Sequence, residues 1–312
     1  MFCRIFRLSR EARFWYNSRP MISETPPAPL RFLQRRAQIL RTIRVFFEER
    51  GFLEVETPVR IPAPANEAFL EPPPAGEKRW LRTSPELHMK RLLAAGAGKI
   101  FQMGPCFREH ERGRRHNPEF TLLEWYRPQE GLAALFADVA ELVAKVLERP
   151  LEPIRLSVPE LYRRVAGWDP LEAWNEDRFD EDMALQIEPS LPKGLVYLTD
   201  YPAPAAALAR LNPAEARLAE RFEAYLDGME IANGYNELTS AAEQRARFEA
   251  TIAMRQARSL PVYPLDEPFL EALPTMPPTA GIALGVDRLV MAACGVCDIA
   301  EVRSFCDGRL EV

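Results

Sequence analysis

Apolar residues at Leu33, Ala37, Leu40, Ile43 and Phe47 recur at three- and four-residue intervals up to Gly51, which predicts an amphipathic helix with a glycine stop. Phe52–Glu56 then reads as a strand halted by Pro58. Residues 62–79 contain Pro62, Pro64, Pro72, Pro73, Pro74 and Gly76, so a loop is expected there. Further strands are predicted at Lys99–Met103 and Glu119–Tyr126, and helical patterns cover 131–147 and 240–258. The strands come in antiparallel-looking pairs, and neither a Gly-x-Gly-x-x-Gly nor a Walker loop is present, which excludes Rossmann and P-loop folds. There is no internal repeat. Residues 150–200, rich in proline and acids, read as a peripheral helical insertion with little chemistry.

The alternation is most informative between Arg221 and Asn233, where Asp227-Gly228 is a two-residue hairpin signal. A turn there pairs Leu226 with Met229 and Tyr225 with Glu230. It sends Glu223, Tyr225 and Glu230 to one face, and Phe222, Ala224 and Ile231 to the other. Two carboxylates diagonal across a hairpin, roughly 7 Å apart, are costly unless solvated or bridged by a cation. A magnesium ion carrying nucleotide phosphates is such a cation, because it typically uses one or two carboxylates plus substrate oxygens. A solvated acidic face is the plain alternative. The continuation Asn233-Gly-Tyr-Asn-Glu237 adds an amide and another acid beside the pair and favours a functional site.

A second cluster runs from Phe107 to Phe120 and holds Arg108, Arg112, Arg114 and Arg115 around a turn glycine. Arginine at a strand end before a return strand presents a planar donor fork to phosphate or carboxylate oxygens, although a surface ion-pair hairpin has the same composition. On the return strand Phe120, Leu122, Glu124 and Tyr126 share a face, and the acid and phenol suit an ammonium ligand. A third segment, Thr279–Met291, is a glycine-bearing strand entering a helix near Gly285. A flat ligand can approach the backbone there, and Arg288 adds charge to the positive helix end.

With 47% apolar residues in 312, the chain can bury a substantial core, and a net charge of -5 argues against broad contact with a polyphosphate backbone. The five cysteines are an odd set that fits a reducing compartment, so the cytosol is expected. Cys294 and Cys297 form a Cys-x-x-Cys, but no histidine follows His116, and buried small hydrophobes are expected over a metal or redox role. No run reaches membrane-spanning length. Residues 1–20 carry Arg4, Arg7, Arg10, Arg13 and Arg19 against Glu11 alone. They read as a presequence, a membrane-surface helix, or an extension upstream of a start at Met21.

In order, these segments resemble the three signature motifs of class II aminoacyl-tRNA synthetases. The helix over 31–50, the strand 52–56 and Pro58 resemble motif 1, the dimer-interface element; Arg108, its loop and its return strand resemble motif 2; Gly285-Val-Asp-Arg288 resembles motif 3. Thr83-Ser-Pro-Glu-Leu-His-Met-Lys90, Arg115-His-Asn-Pro-Glu-Phe120 and Asn233-Gly-Tyr-Asn-Glu237 are lysyl-type. Lysyl-tRNA synthetases carry an N-terminal anticodon-binding barrel, for which the residues ahead of the core are too few. The compact chain and Glu124-Trp-Tyr-Arg-Pro128 resemble the elongation factor P lysine ligase family, which activates (R)-β-lysine and transfers it to a lysine side chain of elongation factor P.

The resemblance implies an α+β fold: a class II catalytic core with an antiparallel sheet of six to seven strands flanked by helices. Residues 1–30 are then an N-terminal extension without packed structure, and 31–312 a catalytic domain without an anticodon-binding domain. It implies ATP and Mg²⁺, lysine or (R)-β-lysine as substrate, elongation factor P as partner, a cytoplasmic homodimer, no stable tRNA binding and no membrane association. Arg108 then holds the α-phosphate and substrate carboxylate, Arg288 the γ-phosphate, and Glu223 and Glu230 the metal. Asn117, Phe120 and Gly285 frame adenine, with His110 and Ile231 also counted toward ATP. Glu86 takes the nearer amine beside Ser84, Asn233 the carboxylate, and Tyr126 with Glu237 the far ammonium. Two departures stand out: His110 occupies the place of the motif 2 glutamate, between Glu109 and Glu111, and Ala283 replaces a glycine, where its methyl tightens the amino-acid pocket. The alternatives are lysyl-tRNA synthetase-like aminoacylation of tRNA or another acceptor, and a non-catalytic regulatory paralogue. Such paralogues usually lose the motif arginines or metal acids, which are present here.

Overall fold

The helical spacing near the start produces α1 (Leu30–Glu48), which buries Ile39, Ile43, Phe46 and Phe47. Ala37 is exposed and Leu40 half-buried, so the buried stripe is rotated from the one the spacing selected. A helix with two adjacent apolar stripes chooses between them only by packing. The computed structural model describes residues 27–307, so most of the expected N-terminal extension, with its arginine-rich segment, lies outside the described residues.

The strands are β1 (Leu53–Glu54), β2 (Arg60–Ile61), β3 (Trp80–Leu81), β4 (Ile100–Phe107), β5 (Glu119–Pro128), β6 (Ile154–Ser157), β7 (Leu195–Pro202), β8 (Leu211–Asn212), β9 (Glu215–Leu226), β10 (Met229–Asn236) and β11 (Thr279–Gly285). The other long helices are α2 (Glu86–Ala94), α3 (Leu132–Leu147), α4 (Ala241–Ala257), α5 (Glu267–Ala272) and α6 (Val286–Cys294). Among the described residues the main sheet has nine strands, in the order β1-β4-β5-β11-β10-β9-β7-β6, with β8 on β9. It is antiparallel except at its edges, where β1 runs parallel to β4 and β6 to β7. The fold class is therefore α+β, with more strands than the six or seven expected. The difference arises partly in 150–200, which is not merely peripheral: it supplies β6 and β7, and β7 buries Leu195, Val196, Tyr197 and Leu198. The proline-rich loop 62–79 is closed by the small β2–β3 sheet, and the buried Arg255 holds it by donating to the carbonyls of Glu67 and Ala68.

One face of the main sheet carries the core. Phe101, Leu123, Trp125, Phe222, Ala224, Ile282 and Leu284 pack against α1, α3 and α6 through Phe46, Val139, Leu142, Leu289 and Val290. Each such side chain contributes about 1.5–3 kcal/mol of burial, so this face anchors the floor of whatever lies on the other. The indole of Trp125 is satisfied within the core, donating to Asp138 Oδ2 at 2.9 Å. The opposite face is covered only toward its ends. Leu87, Met89, Phe248 and Phe269, from α2, α4 and α5, pack at one end. The helical segment within 158–190 packs on Val196, Leu198, Tyr201 and Tyr225 at the other. Between these two small cores lies a polar strip of sheet.

Candidate active site

Register decides what that strip contains. One row across the strands reads Gln102, Glu124, Ala283, Asn233 and Glu223, and the row two residues away reads Ile100, Tyr126, Gly281, Tyr235 and Arg221. Residues two apart share a face, so both rows point into the cleft. The Asp227-Gly228 turn forms with Leu226 opposite Met229 and Tyr225 opposite Glu230. A bulge then falls between Glu230 and Ala232. It brings Glu230 and Asn233, which regular alternation would send to opposite faces, onto the same side, while Ile231 and Ala232 both enter the core.

At one end of the strip two arginines meet. Arg108 follows β4, its N–H donating to Pro118 O at 2.8 Å and closing the hairpin. Its guanidinium lies 4.9 Å from the Phe120 ring centroid and 3.3 Å from Glu111 Oε1. Arg288, in the first turn of α6, donates to Glu230 O at 2.8 Å and to His116 Nε2 at 2.6 Å. His116 can accept because burial, reinforced by the Arg288 charge, pushes its pKa down to about 4 and keeps the ring neutral. The neighbouring Asp287 also lines the cavity. It is held by Arg36 at 2.6 Å and by the Thr121 N–H at 2.7 Å, which fixes α6 against α1 and β5. Arg108, Asn117, Phe120, Gly285 and Arg288 line one cavity, together with Glu111, Arg115, His116 and Leu122. Ile231 does not line this cavity: its side chain is buried in the core, and its carbonyl lies 3.9 Å from where a Cβ at Gly285 would be.

His110 is the exception. It sits at φ +66°, half-exposed, with Nε2 3.3 Å from Glu71 Oε2, and it is not among the residues lining the cavity. Its hydrogen bond to Glu71 raises its pKa. The left-handed residue turns the chain so that the buried Glu111, one position later, faces Arg108.

Glu223 and Glu230 occupy the same face in opposite electrostatic states. Burial raises Glu223, but the Arg221 guanidinium 2.6 Å away outweighs it and leaves the pKa low; Tyr225 also donates to it at 2.8 Å. Glu230 is pushed up to about 7 by burial and then by the charge of Glu223, and its Oε1 is buried without a hydrogen-bond partner. A buried carboxylate oxygen without a partner, beside a second acid, fits a hard cation whose remaining ligands are phosphate oxygens. Among the described residues there is no group of three or more acid, histidine or cysteine side chains suited to a metal.

At the other end the acids gather. Ser84 donates to Glu124 Oε2 at 3.0 Å and receives the Glu86 N–H at 2.9 Å, while Tyr126 donates to Glu124 Oε1 at 2.6 Å. Burial and then the Glu86 charge push Glu124 up to about 8; burial, opposed by Lys90, leaves Glu237 at about 7. Gly281 is needed here for space, since a Cβ would lie 2.2 Å from Glu237 Oε1 and 2.3 Å from the Tyr126 ring. Ala283 stands between Glu124 and Asn233 in its row. Asn233 Oδ1 accepts from Arg221 at 3.3 Å, and its Nδ2 is buried without a partner. Sequence reasoning passed over Arg221, His116 and Lys90 as site residues. Arg221 and Lys90 are two and four residues from acids it did select, Glu223 and Glu86, and that spacing was the available signal.

Cys294 and Cys297 carry free thiols, half-buried and exposed respectively. No described helix is long and apolar enough to cross a membrane.

The fold and this cleft define a class. The family model of class II tRNA synthetases (D, K and N) matches residues 14–309, and the chain belongs to that family. Within it, the chain is 43% identical over 311 residues to the elongation factor P (R)-β-lysine ligase of Haemophilus influenzae strain PittGG, covering 90% of this chain and 96% of that protein. The ligase of the same name from H. influenzae strain Rd is 42% identical with the same coverage.

Proposed function

We infer that this protein is an ATP-dependent ligase that activates (R)-β-lysine as its adenylate and transfers it to a lysine side chain of elongation factor P. The observation that carries this reading is the division of one sheet face into an arginine-lined cavity and a cluster of buried acids. The first suits a triphosphate and the second an amino acid with two ammonium groups. The names of the H. influenzae relatives support the same substrate pair.

In the first step the substrate carboxylate attacks the α-phosphorus of ATP and pyrophosphate leaves. Arg108 faces the transferring phosphate, and Arg288 the leaving group. Fixed guanidinium groups stabilise the charge that develops in line, and no protein nucleophile is needed. Glu223 and Glu230 would hold Mg²⁺, which neutralises phosphate charge when bound. Asn233 meets the substrate carboxylate, and Glu86, Glu124, Glu237 and Tyr126 meet the amines. In the second step the acceptor amine attacks the acyl carbon and AMP leaves. The remaining parts of the reading are a homodimer through the region of α1, a cytoplasmic location and no stable tRNA binding.

The test is amino-acid-dependent pyrophosphate exchange with (R)-β-lysine and with α-lysine, followed by elongation factor P and total tRNA as acceptors. Faster exchange with β-lysine and labelling of elongation factor P are expected. Labelling of tRNA alone would move the protein to the aminoacylation reading, and absence of exchange would favour a regulatory paralogue.

A further inference from the structure

Lys90 has no place in the mechanism above, yet it is wholly buried in the amino-acid end of the cleft. It lies one helical turn beyond Glu86 on α2, and its Nζ stands 2.5 Å from Glu86 Oε1. The same Nζ is 2.6 Å from Glu237 Oε2, just beyond the end of β10. Its side chain is 0% exposed, against 1% for Glu237 and 14% for Glu86, so the ammonium is the deepest of the three groups and Glu86 the nearest to solvent.

We propose that Lys90 is a built-in counter-ion that positions the substrate: it fills the site between Glu86 and Glu237 that a substrate ammonium would otherwise occupy, and so sets how deep the amino acid sits. The inference rests on the ligase reading. The two carboxylates that best suit the substrate's amines are already bridged by a protein cation. A buried carboxylate pair without that bridge would draw in any available ammonium, and the strongest position is the deep one. With Lys90 in place, the substrate's amines meet the remaining carboxylate edges, Glu237 Oε1 beside Gly281 and Tyr126 among them. Its carboxylate is then in register with Asn233 and Arg108. Beyond the Lys90 bridge, Glu237 Oε1, the outer edge of Glu86 and the Glu124–Tyr126 pair remain as acceptors for a substrate bearing two ammonium groups. Lys90 also cannot serve as a nucleophile. Burial disfavours its charged form, but the two carboxylates outweigh that and raise its pKa, so the amine stays protonated.

The experiment uses Lys90→Ala, whose missing atoms correspond to n-propylammonium, and Lys90→Met, which keeps the bulk without the charge. Steady-state pyrophosphate exchange with (R)-β-lysine is measured for both and for the parent, with and without n-propylammonium, and with tetramethylammonium as a control of equal charge. Both variants are expected to lose kcat by about 10²-fold with a much smaller change in KM, because a misplaced substrate still binds. n-Propylammonium is expected to restore kcat saturably in Lys90→Ala alone. Parent-like kcat in either folded variant, or a loss that n-propylammonium does not reverse in folded Lys90→Ala, overturns the proposal. If Lys90→Ala does not fold, Lys90→Met decides by its kcat and KM. Failure of the parent to exchange with any lysine isomer overturns the ligase reading itself, and is distinguished from failure of the proposal by that control.

Discussion

Glu230 shows how a single residue couples occupancy to stability. With its carboxyl pushed up to about 7, the folded state holds the proton more tightly than the unfolded chain between the ordinary carboxylate range and pH 7. Stability contributed by this group is therefore present at low pH and is lost as pH rises through that window. Glu237 and Glu124 act in the same direction, whereas Glu223, held low by Arg221, contributes above the ordinary range and loses its contribution when pH falls through its folded pKa. Glu230→Gln is expected to be more stable than the parent at pH 8, by roughly 1–3 kcal/mol, and to flatten the fall in thermal midpoint between pH 5 and 8. A parent curve unchanged by the substitution would remove Glu230 from this account. Arg288→Ala is expected to lower pyrophosphate exchange by about 10²–10³-fold, as loss of one fixed donor to developing charge does. In the motif 2 loop, Glu111→Gln is expected to impair exchange, while His110→Ala leaves it within about threefold, since His110 bonds to Glu71 at the surface and Glu111 faces Arg108.

At the scale of elements, strand β11 is where the amino-acid pocket is most sensitive to volume. Gly281→Ala places a methyl well inside van der Waals contact of Glu237 and Tyr126, so amino-acid binding is expected to disappear while ATP binding, measured by calorimetry, persists. Loss of both ligands would instead indicate collapse of the sheet. The β9–β10 hairpin depends on positive φ at its turn, +52° at Asp227 and +82° at Gly228. Gly228→Ala is expected to cost about 1 kcal/mol in denaturant unfolding, because a side chain disfavours the positive φ at that position. The hairpin and its pairing were legible from Asp-Gly flanked by alternating residues. The bulge after Glu230 was not, because nothing in Glu-Ile-Ala-Asn distinguishes a bulged strand from a regular one until β9 and β11 pair on either side.

For the whole molecule, the homodimer reading predicts a sedimentation mass twice 35.6 kDa, and a single-chain mass would refute it. The sequence by itself determined the order of the three motif segments and the helix and strand positions around 31–58, 100–147 and 279–294, because these depend on local periodicity and turn chemistry, while the α+β class came from the resemblance those segments carry. It also singled out Arg108, Arg288, Glu223 and Glu230, whose chemistry is costly to bury without purpose. Tertiary structure alone decided which of two stripes α1 buries, that β7 belongs to the central sheet, and that Glu111 rather than His110 faces the arginine cavity. It likewise decided that Lys90 closes the space between Glu86 and Glu237. These outcomes depend on which distant segments meet, and a buried charge finds its partner only when strand register and helix packing have brought the two together.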